Sequence, residues 1–149
     1  MDRKTNLFDK IGSLIPGYKG WVEREGRREC DRQLREQTSD KLYVIEKKIN
    51  VFIEEASTND LVKLDRLRKK IDNLKDIIKY MPYGESSMFA DTVIGNTELE
   101  KIYQLDLTIL ESTEEIQTSI KNKDTDSLLE IIIVLETAII KRNEYLKDI

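Results

Sequence analysis

A single thiol and no histidine limit what chemistry this 149-residue chain can attempt. Cys30 cannot close an internal disulfide, and the commonest metal ligand and general base is missing. Redox, zinc and serine–histidine mechanisms therefore lose their parts. The thiol reads as a small packing residue, with Arg27 three positions away as the one group that would favour a thiolate. A carboxylate di-metal centre in a helical bundle adds Glu-x-x-His ligands on paired helices, which this chain cannot supply. The expectation is a protein that is not an enzyme, with no catalytic, cofactor-binding or metal-binding residues and no cofactor.

Chemistry-capable residues concentrate in one stretch, LIPGYKGWVEREGRRECDRQLREQ, from Leu14 to Gln37. On a helical wheel Arg24, Arg28, Arg32 and Arg35 fall within about 80°, with Glu25, Glu29 and Glu36 in a neighbouring stripe. One reading makes Glu25–Arg28, Glu29–Arg32, Asp31–Arg35 and Arg32–Glu36 ordinary surface ion pairs worth roughly 0.2–0.5 kcal/mol each. The other starts from the choice of arginine over lysine, which suits planar, bidentate contact with carboxylates or phosphates. Tyr18 and Trp21 are either a packed corner at the Pro16-Gly17 turn or, with Lys19 and Arg24, an exposed aromatic-basic hook. The partner-binding candidates are thus Tyr18, Lys19, Trp21, Arg24, Arg28, Arg32 and Arg35.

The elements that must position these residues are helical. Only six glycines and two prolines interrupt the chain, and apolar residues make up 39% against 36% charged, enough for a core. Leu7, Phe8, Ile11, Leu14 and Ile15 form one face of a short amphipathic helix that Pro16-Gly17 ends. A second helix is expected from about Lys19 to Ala56, with Leu42, Ile45, Ile49, Phe52 and Ala56 buried and its first half less so. Ser57 to Asp60 caps a third, whose seam Leu64, Leu67, Ile71, Leu74, Ile78, Met81 repeats 3-4-3-4-3.

An apolar loop from Pro82 to Gly95 is expected to pack on the bundle. Asn96 or Thr97 should cap the fourth helix, whose seam carries Asp106 and Thr113 as polar, register-setting entries. After a cap at Asp124 to Asp126, the run LLEIIIVLETAII from Leu128 to Ile140 is apolar nearly all round, too short for a bilayer span, and predicted to be the most buried helix. The basic third helix reads as a solvated face complementing the acidic fourth and fifth. The reading is all-α, one domain over residues 1–149: an N-terminal amphipathic helix and turn (1–18), then an up-down antiparallel bundle of four long helices (19–149).

Charge falls from net +3 over residues 1–35 and +1 over 36–81 to −8 over 82–149, giving the overall −4. That balance argues against a general nucleic-acid binder. The run I-P-G-Y-x-G-(aromatic)-x-x-x-E-x-R-R-x-x-D-x-x-x-R, from Ile15 to Arg35, resembles the N-terminal signature of small uncharacterised prokaryotic helical proteins of no assigned activity. It covers about a seventh of the chain, and Trp21 stands where tyrosine is common in that group. The resemblance implies that Pro16, Gly17, Tyr18, Gly20, Glu25, Arg27, Arg28, Asp31 and Arg35 act together.

Three functions follow as expectations. The first is a cytoplasmic scaffold or adaptor working through protein–protein contacts, with the arginine stretch as its surface and a homodimer as the simplest assembly. The second is a peripheral module on an anionic membrane at the inner face, using Leu7, Phe8, Ile11, Leu14 and Ile15. The third is weak nucleic-acid binding through Tyr18, Trp21 and the arginines. Burial decides: if the N-terminal apolar residues and the two aromatics are covered they are core, and if exposed they are a binding surface.

Overall fold

The computed structural model describes the backbone of residues 3–22, 24–80 and 95–148, with the side chains of all of these except 3–5, 24, 25, 80, 147 and 148. Among the described residues every regular element is a helix: α1 (Arg3–Leu14), α2 (Arg24–Glu55), α3 (Thr58–Tyr80), α4 (Asn96–Lys121) and α5 (Thr125–Asp148). The 3-4 seams read from the sequence are the core. Leu64, Leu67, Ile71, Leu74 and Ile78 of α3 are buried, as are Leu99, Ile102, Asp106, Ile109, Thr113, Ile116 and Ile120 of α4. Met81 and the Pro82–Ile94 part of the expected packing loop lie outside the described residues.

The helices form a square in the order α2, α3, α5, α4, with α2 opposite α5, α3 opposite α4, and α1 laid along α4. Short turns make α2–α3 and α4–α5 antiparallel hairpins, as Lys75–Glu46 (2.6 Å) and Arg142–Asp106 (2.7 Å) show. The hairpins stand side by side, so the remaining neighbours run parallel: Lys41 pairs with Glu114 between α2 and α4, and Lys63–Asp126 and Lys70–Glu136 step together along α3 and α5. The α3-to-α4 connection therefore crosses the diagonal.

Three local expectations change. The second helix begins at Arg24 rather than Lys19, because Gly17 and Gly20 hold positive φ and turn the chain before it. From there it runs unbroken through Gly26, whose missing Cβ lets the Gly20 carbonyl approach; a Cβ would sit 3.3 Å from that oxygen. At about 1.5 Å per residue its 32 residues span about 48 Å, and its first half does not overhang, since Cys30, Asp31, Leu34, Arg35 and Thr38 are all buried.

The fourth helix has Gly95, not Asn96 or Thr97, at its N-cap. Asp124 caps α5 as expected, accepting from the Ser127 backbone N–H at 3.1 Å. α5 is not the most buried helix: Ile133 and Val134 are each 50% exposed and Ile140 44%.

The N-terminal helix is packed. Leu7, Ile11 and Ile15 are buried and Phe8 and Leu14 are half-buried against the same core, so the face offered to a membrane is spent on α4. Phe8, Tyr18 and Tyr103 close this corner as an aromatic triangle with centroids 5.7 to 6.4 Å apart, in tilted and edge-on arrangements that favour attraction between rings. Among the described residues no helix is long and apolar enough to cross a membrane.

Candidate functional site

The polar residues of the arginine stretch converge inside the bundle. Asp106, a polar entry in the α4 seam, is fully buried and accepts three hydrogen bonds. Tyr18 Oη donates to its Oδ2 at 2.9 Å and Trp21 Nε1 to the same oxygen at 2.9 Å, while Arg142 Nε of α5 donates to Oδ1 at 2.7 Å. Arg142 also lies 2.9 Å from Asp31 Oδ1, across the diagonal on α2. That contact has ion-pair distance without hydrogen-bond alignment, for neither atom finds a hydrogen-bond partner. Asp31 is held from its own helix by Arg35, whose Nε donates to Oδ2 at 2.8 Å and whose Nη1 donates to the Ile78 carbonyl of α3 at 3.3 Å. One polar layer thus ties all four long helices and the turn.

The turn is built to reach this layer. Trp21, fully buried, also gives its backbone N–H to Tyr103 Oη at 3.0 Å, and its carbonyl accepts from Arg27 Nε at 3.1 Å. The Arg142 guanidinium lies 5.5 Å from the Trp21 ring centre, within cation–π range. At Gly20 (φ +81°) a Cβ would fall 2.6 Å from Tyr103 Oη and 2.8 Å from Phe8 Cε2. Only glycine fits there, both by conformation and by space.

Electrostatics make the layer inert rather than reactive. Burial opposes the charge of Arg142, yet Asp106 and Asp31 outweigh it and hold the guanidinium charged more firmly than usual. Burial, then the nearby Asp106 carboxylate, push the Tyr18 phenol well above its ordinary range. Burial pushes Tyr103 up to about 12. The same two causes in the same order raise the Cys30 thiol, so the thiolate that Arg27 was expected to favour is suppressed.

Beside the layer, Leu34, Arg35, Thr38, Ile78, Ile109, Ile139 and Arg142 line a cavity of about 10 Å3, room for one water at most. The Thr38 hydroxyl and Arg142 Nη2 are buried there without a protein partner. Among the described residues no cluster of His, Cys, Asp and Glu is placed to hold a metal ion.

The candidate partner-binding residues divide accordingly. Tyr18, Trp21 and Arg35 are buried within the chain and cannot greet a partner, because Asp106 and Asp31 consume their polar atoms. Lys19, Arg28 and Arg32 are exposed; Arg32 pairs with Glu29 and, at 3.0 Å, with Glu36 on the same helix. The side chain of Arg24 lies outside the described residues. Of the residues joined by the N-terminal signature, Tyr18, Gly20, Arg27, Asp31 and Arg35 meet in this corner.

The residue that the sequence reading passed over is Arg142. Its signal was present: Leu128, Ile132, Leu135, Ile139, Arg142, Leu146 repeats 4-3-4-3-4, which puts an arginine in a buried seam. The surface left open lies elsewhere. On the outer side of α5, Ile133, Val134 and Ile140 flank a groove of about 430 Å3 shared with Lys101, Gln104, Leu105 and Thr108 of α4. No family model, curated protein or solved structure matches the chain.

Proposed function

We propose that this chain is a helical scaffold or adaptor, without enzymatic activity, that takes a partner helix along the outer face of α5 and the α4–α5 groove. The observation that carries this reading is the exposure of Ile133, Val134 and Ile140 on a helix whose opposite face is fully packed. Three half-exposed β-branched side chains in three turns form an apolar stripe that folding does not use. A groove between two helices, with an apolar floor and lysines at the rim, suits an amphipathic helix laid along it. The polar layer supports the same reading from the other side, because its carboxylates and phenols are buried and mutually satisfied, out of reach of a substrate. The arginine stretch is not the docking surface in this reading.

The test is site-specific photocrosslinking in the cells that make the protein. A benzoyl-phenylalanine in place of exposed Thr137 should yield one discrete protein adduct, and the same probe at exposed Lys48 on α2 should not. Equal labelling from both positions, or none from position 137, refutes the docking face.

A further inference from the structure

We infer that the partner of the α5 face is a second copy of this chain, docked antiparallel about a two-fold axis between Leu135 and Glu136. This rests on the docking reading above and adds the identity of the occupant. The outward stripe of α5 is Glu130, Ile133, Val134, Thr137, Ala138, Lys141, spaced at i, i+3, i+4, i+7, i+8, i+11, which is one helix face. Five of the six are exposed, and Ala138 sits at the edge of the same groove.

Turned about that axis, the stripe meets itself in complementary pairs. Glu130 faces Lys141 of the other copy at both ends, Ile133 faces the small Ala138, and Val134 faces Thr137. The charges are therefore satisfied at the rim, and a large side chain meets a small one in the middle. A parallel arrangement would set Glu130 on Glu130 and Lys141 on Lys141, which like-charge repulsion disfavours. An isologous contact needs this self-complementarity, and an apolar stripe rimmed by one acid and one base at symmetric positions supplies it. A stripe of about 16 Å along one helix is a small interface, so the dimer is weak and concentration-dependent.

Sedimentation equilibrium of the full chain at low salt tests the inference. Over about 10 μM to 1 mM the mass should rise from 17.5 kDa toward twice that value. Glu130→Lys and Lys141→Glu, each counted twice by symmetry, should each weaken association about tenfold. The double exchange Glu130→Lys/Lys141→Glu should return it to within about threefold of the native value. Circular dichroism checks that all three variants keep the native helix content, as exposed Glu–Lys exchanges should. A chain that stays monomeric across this range, or a double exchange no better than the single ones, overturns the second copy as partner. The two readings separate cleanly: a monomer that still crosslinks another protein from position 137 leaves the docking face standing, whereas a monomer with no adduct removes both.

Discussion

Replacing Arg142 by methionine is the sharpest perturbation of the polar layer, because methionine keeps the length and removes the charge. Asp31 and Asp106 would then be two fully buried carboxylates without their shared cation. Breaking a buried pair by removing one partner costs about 3–5 kcal/mol, chiefly the uncompensated charge left behind. For a chain of this length the unfolding entropy is about 0.31 kcal/mol/K, so the melting temperature should fall by about 10–16 °C. Urea unfolding is the assay, followed by helix ellipticity and by the fluorescence of the one tryptophan, Trp21, which lies against the missing guanidinium. Both probes should move together with an unchanged m-value. Adding Asp31→Asn and Asp106→Asn to Arg142→Met removes the stranded charges and should recover more than half of the loss. A loss below about 1 kcal/mol for Arg142→Met, or a triple variant worse than the single one, would refute the claim that charge compensation holds the layer.

Gly20→Ala should cost more than about 2 kcal/mol, since positive φ and the close Tyr103 and Phe8 atoms both oppose a Cβ; Gly17→Ala, whose Cβ would meet only Gln33 Nε2 at 3.9 Å, should cost only the conformational part of about 1–2 kcal/mol. Thermal melts of the pair separate the two contributions. Cys30 should resist a disulfide-exchange reagent at pH 8 in the native protein and react fully in denaturant, because its thiol is buried and its ionisation suppressed; fast native labelling would contradict the burial. Tyr103 keeps its proton more tightly folded than unfolded, so its contribution is complete below about pH 10 and is lost as pH rises toward about 12. Tyr103→Phe should flatten the fall of stability over that window, as read by urea midpoints at stepped pH.

The apolar part of this fold was legible because burial follows a fixed 3-4 spacing: the α3 and α4 seams could be written down from residue types alone. Asp106 was legible for the same reason, as a polar residue in an apolar seam. The first half of α2 was not, although its seam continues backward from Ile49, Ile45 and Leu42 through Thr38, Arg35 and Asp31 at the same spacing. Charged residues read as solvent-facing unless their buried counter-charge is in view, and here that charge sits on Arg142, more than a hundred residues away. The error on α5 has the opposite cause. Its run of isoleucine and valine was taken as burial on all sides, but a helix at the corner of a square of four meets only two neighbours along its length, so one face remains outside.

The placement of the polar layer explains how one pairing of hairpins is selected. Apolar seams alone are permissive, because isoleucine and leucine layers interchange with little loss if one hairpin slides past the other. Sliding α4–α5 by one heptad, about 10 Å, would set Arg142 and Asp106 against apolar layers and leave Asp31 unpaired. Each stranded group carries a penalty of the size worked above for Arg142, comparable with a large part of the whole stability of a domain this size. The layer also draws Tyr18 and Trp21 inward, so register and the docking of α1 are fixed by the same atoms. None of those atoms belongs to the outer stripe of α5. Substitutions in the layer should therefore change stability without changing what the α5 face binds, and substitutions at Glu130, Val134 or Lys141 should change association while leaving the fold intact.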